Sequence, residues 1–512
     1  MSDHVAGDPA LSVPEQAVDQ RPPRASVARN LLDVASSQVV SFLLGLVAQI
    51  VQPRFVGPDG IGSIQLAFSI WLIAGTFIGF GTGSYLTLAM ARDHKHGRAL
   101  VGPVLLLRFA LFGIASVGIA LYAWAVGYET QILWLLAITG STMLLTTVTE
   151  TLTAAFTGLE QLKYPAGATI AAKFIYTIVM VVVLVAGGGV YGLALATSFN
   201  SALTVAILYL FYRRYGRITF GRPPEGFRLL VRGSVGFLIA GAVIVVYLQI
   251  DMVAMSLLVD EEQLGWYTVA DVLMSSLLFI PSMLMSVLFP VIGRLHVEDT
   301  GAVDVMMRRA LSTLALAGVA VGFGAAVVAE PFAVLLYGER FREAGDVLAV
   351  LGIAAPLMFL TMLLGTRAQA TGRKRFWTTL MTLAIVLSIV FDIIFVPLMD
   401  RLADNGAIGG ALGYVVTESM MVVVGIWKIA PRSWDRGAAL RLAKIGLAGG
   451  LMVIAAWPLR MMFLPIPIAV GATVFIGAVL VLRILTPDEK QMLQRLVAKV
   501  RRGGPAVENV NT

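Results

Sequence analysis

The chain has 512 residues, of which 58% are hydrophobic and only 13% charged, with 38 Lys and Arg against 31 Asp and Glu. Together with a mean hydropathy of +0.84, this excludes an ordinary soluble globule and indicates a polytopic membrane protein. The net charge of +7 does not indicate nucleic acid, because the basic residues sit between apolar runs of about 20 residues, each able to cross a ~30 Å hydrocarbon core. With no cysteine and four scattered histidines (His4, His94, His96 and His296), disulfides and thiolate metal sites are excluded and a zinc centre is improbable.

Residues 1–29 carry Pro9, Pro14, Pro22 and Pro23 among polar residues and lack the apolar core of a signal peptide. They are expected to form a disordered cytoplasmic tail that is not cleaved. Apolar runs bounded by charge or glycine then predict spans at 30–52, 60–90, 101–127, 131–157, 165–187 and 189–211, the second of them broken by Gly79, Gly81 and Gly83. An arginine-rich stretch follows, with Arg213, Arg214, Arg217, Arg222, Arg228 and Arg232 beside Pro223 and Pro224. Six more spans are predicted at 229–258, 264–292, 305–328, 345–371, 376–399 and 407–430, and two further ones at 437–457 and 464–485. The expected fold is thus all-α, with about fourteen transmembrane helices. Its parts are an N-lobe (30–211), a basic hinge loop (212–228), a C-lobe (229–430), two additional helices (431–485) and a final segment (486–512). In that segment Thr486-Pro487-Asp488-Glu489 reads as an N-cap, a first-turn proline and a capping-box glutamate. Met492, Leu493, Leu496, Val497 and Val500 then share one face, as in a helix lying on an anionic leaflet.

Lys and Arg flanks stay cytoplasmic. Placing the amino terminus inside puts 30 of the 38 Lys and Arg in cytoplasmic segments, leaves Arg54, Arg340, Arg342, Arg401 and Arg460 outside, and buries Arg108, Lys173 and Arg367 within spans. Both termini are expected in the cytoplasm. The lobes also repeat short patterns in one order. Gly62-Ser63-Ile64-Gln65-Leu66-Ala67 corresponds to Gly265-Trp266-Tyr267-Thr268-Val269-Ala270, and Thr157-Gly158 to Thr371-Gly372. Gly189-x-x-Gly192-x-Ala194-Leu195 corresponds to Gly406-x-x-Gly409-x-Ala411-Leu412. An even number of spans per repeat implies two parallel repeats about an axis along the membrane normal, with a cavity between them.

Ionisable groups inside hydrocarbon need a partner, a wet cavity or a task. In the N-lobe Arg108, Glu150 and Lys173 fall at similar depth. Either Arg108 and Glu150 form a buried pair that locks two helices, or a cationic patch of Arg108 and Lys173 receives an anionic headgroup. Arg367 either joins such a site or snorkels to the inner surface. The C-lobe is acidic: Asp251, Asp271 and Asp392 lie in the outer halves of their spans and Glu418 lies mid-span, with no Lys or Arg of that lobe at their depth. Such carboxylates bind a cation or are protonated. Ser388, one turn before Asp392, and Thr417 add hydroxyl oxygens to a candidate site for a coupling ion, Na+ or H+. Gln38, Gln49 and Gln52, with Asn200 and Ser201, either line a polar cavity or bond neighbouring helices.

Three local stretches carry a family resemblance: Phe55-Val56-Gly57-Pro58-Asp59-Gly60-Ile61-Gly62, Leu288-Phe289-Pro290-Val291-Ile292-Gly293-Arg294 and Leu335-Leu336-Tyr337-Gly338-Glu339-Arg340-Phe341. With the fourteen spans in two parallel lobes, residues 30–485 resemble the polysaccharide-exporter branch of the multidrug/oligosaccharidyl-lipid/polysaccharide (MOP) flippase superfamily. The resemblance implies flipping of an undecaprenyl-diphosphate-linked glycan across a bacterial inner membrane by alternating access, as in O-antigen flippases and their lipid II relatives, with no chemistry on the substrate. It implies Arg108 and Lys173 as headgroup contacts, although the basic residues that lipid II relatives carry on their first two helices are missing here. It also implies a sodium site on Asp251, Asp392 and Thr417, with Ser388 in place of an amide. Membrane lipids and a polysaccharide polymerase or export machinery are the implied partners, and nucleic acid is not. The alternatives are a cation-coupled multidrug exporter of the same superfamily and, from another class, a membrane glycan polymerase or ligase. Such an enzyme generally needs a sizeable external loop, and the longest here, 329–345, is short and has no histidine.

Overall fold

The computed structural model describes residues 24–223 and 226–485, without the side chains of 24–43 and of Ala240. The expected amphipathic segment at 486–512, most of the amino-terminal tail and Pro224 lie outside the described residues. Among the described residues the chain is helical throughout, in sixteen α-helices. The N-lobe comprises α1 (Arg24–Gly79), α2 (Thr82–Arg92), α3 (His94–Val126), α4 (Thr130–Gly158), α5 (Lys163–Val185) and α6 (Gly189–Tyr212). The C-lobe comprises α7 (Phe227–Met255), α8 (Glu261–Leu277), α9 (Phe279–Glu298), α10 (Thr300–Val327), α11 (Ala329–Tyr337), α12 (Ala344–Ala370), α13 (Lys374–Ala403) and α14 (Gly406–Ile429), followed by α15 (Arg436–Ala456) and α16 (Pro465–Val481).

Eleven of these helices, among the described residues, are long and apolar enough to cross a membrane, or twelve if the bent pair Phe227–Ile239 and Gly241–Met255 (47°) is one span. The difference from fourteen has physical causes. The first two expected spans join into the single stretch Arg24–Gly79, turned at Gly57 (φ 79°, ψ 173°) between Pro53 and Pro58. The last, Pro465–Val481, has only 17 residues. Of the expected tail, residues 24–29 are helical. One span of each repeat is broken. The second expected span breaks between α1 and α2, where Phe80 (φ 49°) and Gly81 (φ 68°) are left-handed. The eighth breaks at Leu278 between α8 and α9.

Most Lys- and Arg-bearing turns gather at one end of the bundle, here called the basic face; the opposite end is the far face. Toward the far face the two lobes share one buried core. It joins Ile61, Ile64, Leu66 and Ala67 of α1 to Leu264, Tyr267, Val269 and Ala270 of α8, and to Val347 and Leu351 of α12. Toward the basic face each lobe has its own: Leu86, Met90, Leu100, Leu152, Phe156 and Tyr212 in the N-lobe, and Met307, Leu311, Leu363, Trp377 and Ile426 in the C-lobe. Burial of apolar surface drives association without direction. Among the described side chains, a common core at one end and separate cores at the other therefore mean lobes joined at the far face and apart at the basic face, except for a seam of α2 on α7. There Gly81 and Gly233 admit close approach: a Cβ at Gly81 would fall 2.6 Å from Leu238 N, and one at Gly233 2.5 Å from the Tyr85 ring.

Candidate functional site: two polar clusters and a far-face seam

The far-face seam is built from repeat-related positions. A Cβ on Gly62 would fall 2.8 Å from Gly265 N, and one on Gly265 would fall 2.7 Å from Pro58 Cα. The two corresponding glycines thus meet each other, as residues on a pseudo-two-fold axis do. Small residues let backbones approach this closely. Charged groups close over the seam. Arg54 Nε donates to Leu336 O at 2.5 Å and its Nη2 to Leu335 O, both on α11. Arg340, in the 3-10 turn Glu339–Phe341, pairs with Asp59 at 3.1 Å, and its carbonyl accepts from Trp266 Nε1 at 3.2 Å. Arg342 braces that turn by pairing with Glu330 at 2.5 Å and Glu339 at 2.7 Å. The hydrogen bonds and charge of Glu339, then those of Glu330, hold its pKa above the ordinary value. Tyr128 OH and Ser256 Oγ, 2.9 Å apart, add a further link between the lobes.

In the N-lobe, Arg108 is 2% exposed. Its Nε donates to Thr82 Oγ1 at 2.8 Å, and its Nη1 to Thr147 O at 3.2 Å and Glu150 Oε2 at 3.1 Å. The α1–α2 break makes this possible, because it delivers Thr82 to α3 and leaves Gly79 and Gly83 beside Nη2, where Cβ atoms would lie 3.8 and 3.4 Å from it. The pair is lopsided: the Glu150 side chain is 52% exposed. Lys173 lies on the neighbouring helix α5. It is half-buried, and a Cβ on Gly45 of α1 would fall 2.9 Å from its Nζ. Arg367 is elsewhere altogether, at the basic end of the C-lobe, paired with Asp304 at 2.6 Å.

In the C-lobe, Ser388 Oγ donates to Asp251 Oδ1 at 2.6 Å, joining α13 to α7. Asp392 is 0% exposed, and neither carboxylate oxygen has a hydrogen-bond partner among the described residues; Thr417 Oγ1 is likewise buried and unpartnered. The antiparallel packing of α13 and α14 aligns these groups. A Cβ on Gly413 would lie 3.0 Å from Asp392 Oδ1 and one on Gly409 would lie 2.5 Å from Val396 Cα, a register that sets Thr417 opposite Ser388. Asp271 of α8 and Glu418 of α14 complete the acidic cluster around Asp251 and Asp392. Glu418 is fully engaged, accepting from Tyr247 OH at 2.5 Å and Thr361 Oγ1 at 2.6 Å. Tyr247 and Thr361 carry no sequence signal of that role, and neither do Arg54, Asp59 and Arg340 of a latch, since each becomes a partner only through packing. Three or more His, Asp or Glu side chains do not come together as a metal-ligand group among the described residues. Any cation here would rely on Asp251, Asp392 and hydroxyl oxygens.

The comparisons with known proteins agree with this architecture. No curated protein matches the chain. Among solved structures it is similar to the lipid II flippase MurJ in an inward closed conformation, at 14% identity and a TM-score of 0.69, covering 87% of this chain and 97% of that one. It is also similar to an inward-facing multidrug resistance MATE family transporter of the MOP superfamily, at 17% identity and a TM-score of 0.59, covering 80% and 96%. A third similarity is to a MOP superfamily transporter from Pyrococcus furiosus described as having a binding pocket of reverse polarity, at 16% identity and a TM-score of 0.53, covering 82% and 96%. At these identities the likeness shows the fold, a multi-pass MOP-type transporter fold. The family model described as "Polysaccharide biosynthesis protein" matches residues 27–296, more than half of the chain. The chain belongs to the polysaccharide biosynthesis protein family.

Proposed function

We propose that the chain is a flippase that carries a polyprenyl-diphosphate-linked oligosaccharide, an undecaprenyl-linked glycan, across a bacterial inner membrane by alternating access during cell-surface polysaccharide biosynthesis. The observation that carries this reading is the single core and charged latch at the far face above lobes with separate cores at the basic face. With the basic face cytoplasmic, as the Lys and Arg distribution predicts, that is the geometry of a cavity loaded from inside. The family and the fold shared with a lipid II flippase support the substrate class.

In this reading Lys173 and the Nη2 edge of Arg108 meet the diphosphate, and Glu150 is the counter-charge that occupies Arg108 when no headgroup is present. The buried Arg108 serves partly as the lock between α2, α3 and α4, so the headgroup role falls mainly on Lys173. Asp251 and Asp392, with Thr417, Ser388 and Asp271 around them, would hold the coupling ion, Na+ or H+, which supplies the positive charge these carboxylates lack. The unpartnered oxygens of Asp392 and Thr417 fit that assignment. Their helices, α7, α13 and α14, pack against one another, so neutralising Asp392 would relax the repulsion from Asp251 and change how α7 sits against α13. In this reading a polymerase would act on the product of transport.

The test is the leaflet distribution of a polyprenyl-diphosphate oligosaccharide in proteoliposomes containing the purified chain, read by an external glycosidase. Protein-dependent exposure of protected substrate that falls with Lys173→Ala supports the proposal. Unchanged protection, with uptake of cationic drugs instead, selects the multidrug-exporter reading, which the half-exposed Glu150 carboxylate favours.

A further inference from the structure

A basic cavity lies apart from both clusters, at the basic end of the C-lobe. It encloses about 300 Å³ and is lined by His296 and Thr300 at the α9–α10 turn, Asp304 of α10, Arg367 of α12, Arg373 of the α12–α13 turn, and Arg432 of the α14–α15 turn. Three arginines face one aspartate, so the lining keeps two net positive charges with the histidine neutral. A cavity of one charge sign concentrates ions of the other.

The turn that carries Arg432 is held in place on every side. Arg308 donates to the Arg432 carbonyl at 3.2 Å and pairs with Asp435 at 2.7 Å. Ser433 accepts from Arg367 Nη1 at 3.1 Å and donates to Asp304 Oδ1 at 3.4 Å. Arg367 is fixed by its pair with Asp304 at 2.6 Å. Arg373 uses one N–H on the Lys428 carbonyl at 2.8 Å, and a guanidinium has five. The Arg432 guanidinium makes no hydrogen bond or ion pair among the described residues, although its backbone is clamped. The arrangement therefore consists of preorganised forks around a space with one of them unspent. Arginine forks of this kind match the paired oxygens of a phosphate.

We propose that this cavity is a binding site for a phosphate group, held between Arg373 and Arg432 with Arg367 behind them, and that it tethers the α9–α10, α12–α13 and α14–α15 turns of the C-lobe. The phosphate can come from an anionic membrane lipid headgroup or from a soluble phosphate, and the same two arginines meet either. None of its residues belongs to the clusters of Arg108 or Asp392.

The test uses the full-length protein in phosphatidylcholine nanodiscs. Phosphatidylglycerol is introduced at increasing mole fraction in one arm, and inorganic phosphate is titrated in the other, with the unfolding temperature and lipid adducts in native mass spectra as readouts. Stabilisation by phosphatidylglycerol is expected, with apparent affinity weakened roughly tenfold or more in Arg373→Gln/Arg432→Gln and unchanged in Arg92→Gln, a surface cation of the other lobe. Stabilisation by inorganic phosphate alone, lost in the same double variant, assigns the site to a soluble phosphate. Arg432→Gln by itself removes no described protein contact and guards against a folding artefact. Equal responses of the wild type and both variants, or no response of the wild type to either probe, overturn the proposal.

Discussion

Removing the far-face latch should shift the protein toward an outward-opened state by an amount that follows from its contacts. Arg340 and Asp59 pair at 3.1 Å with side chains 63% and 54% exposed, so that pair contributes only about 0.2–1 kcal/mol. The two bonds from Arg54 to the α11 carbonyls are also exposed and add about 1 kcal/mol together. The double variant Arg54→Ala/Arg340→Ala therefore favours far-face opening by roughly 1–2 kcal/mol, a five- to thirtyfold change in the ratio of states. Because the chain has no cysteine, spin labels placed by Glu129→Cys and Leu257→Cys report on this face alone. Those positions adjoin Tyr128 and Ser256, which are bonded at 2.9 Å. A longer-distance population should grow in the double variant, measured by pulsed electron spectroscopy. A distance distribution identical to that of the wild-type background would show that the shared apolar core alone holds the face shut, and the latch argument would fail.

Asp392→Asn should raise the unfolding temperature in sodium-free, neutral buffer, because it removes a buried carboxylate without partners, a feature that costs about 1–3 kcal/mol or more. It should also abolish any sodium-dependent thermal shift; a shift that persists would rule out Asp392 as a ligand. Arg108→Met should destabilise the protein by about 1–3 kcal/mol, because it strands Thr82 Oγ1 and the Thr147 carbonyl while water can reach the half-exposed Glu150, and a double-mutant cycle with Glu150→Gln should give a coupling of about 0.5–1 kcal/mol. Coupling near zero in unfolding measurements would mean that the pair does not lock α3 to α4. Gly265→Val should disrupt the seam with Gly62 at a cost of about 1–3 kcal/mol, visible as increased labelling of Glu129→Cys by a membrane-impermeant thiol reagent. Labelling equal to that of the parent would show that α1 and α8 have room to spare. In transport, Lys173→Ala should lower the rate more than Lys173→Arg; equal losses would remove the charge argument for that residue.

The sequence determined the class of molecule and most of its elements, because both are local. Apolar runs long enough for a bilayer had to become helices, since hydrocarbon leaves backbone groups no other partner. Gly79, Gly81 and Gly83 marked a break in the second span, which the structure puts at Phe80 and Gly81. Buried ionisable residues were also visible by position. What each of them bonds was not. Arg108 and Glu150 allow two readings by position, and only the α1–α2 break brings Thr82 to the guanidinium; Arg367 likewise allows two, and packing pairs it with Asp304. The far-face latch links Arg54 to residues more than 280 positions away, and the basic cavity assembles three turns from separate helices. A helix advertises its existence through its own composition and periodicity. The residue it faces depends on the register and rotation of helices distant in the chain, and only the packing of the two lobes decides those.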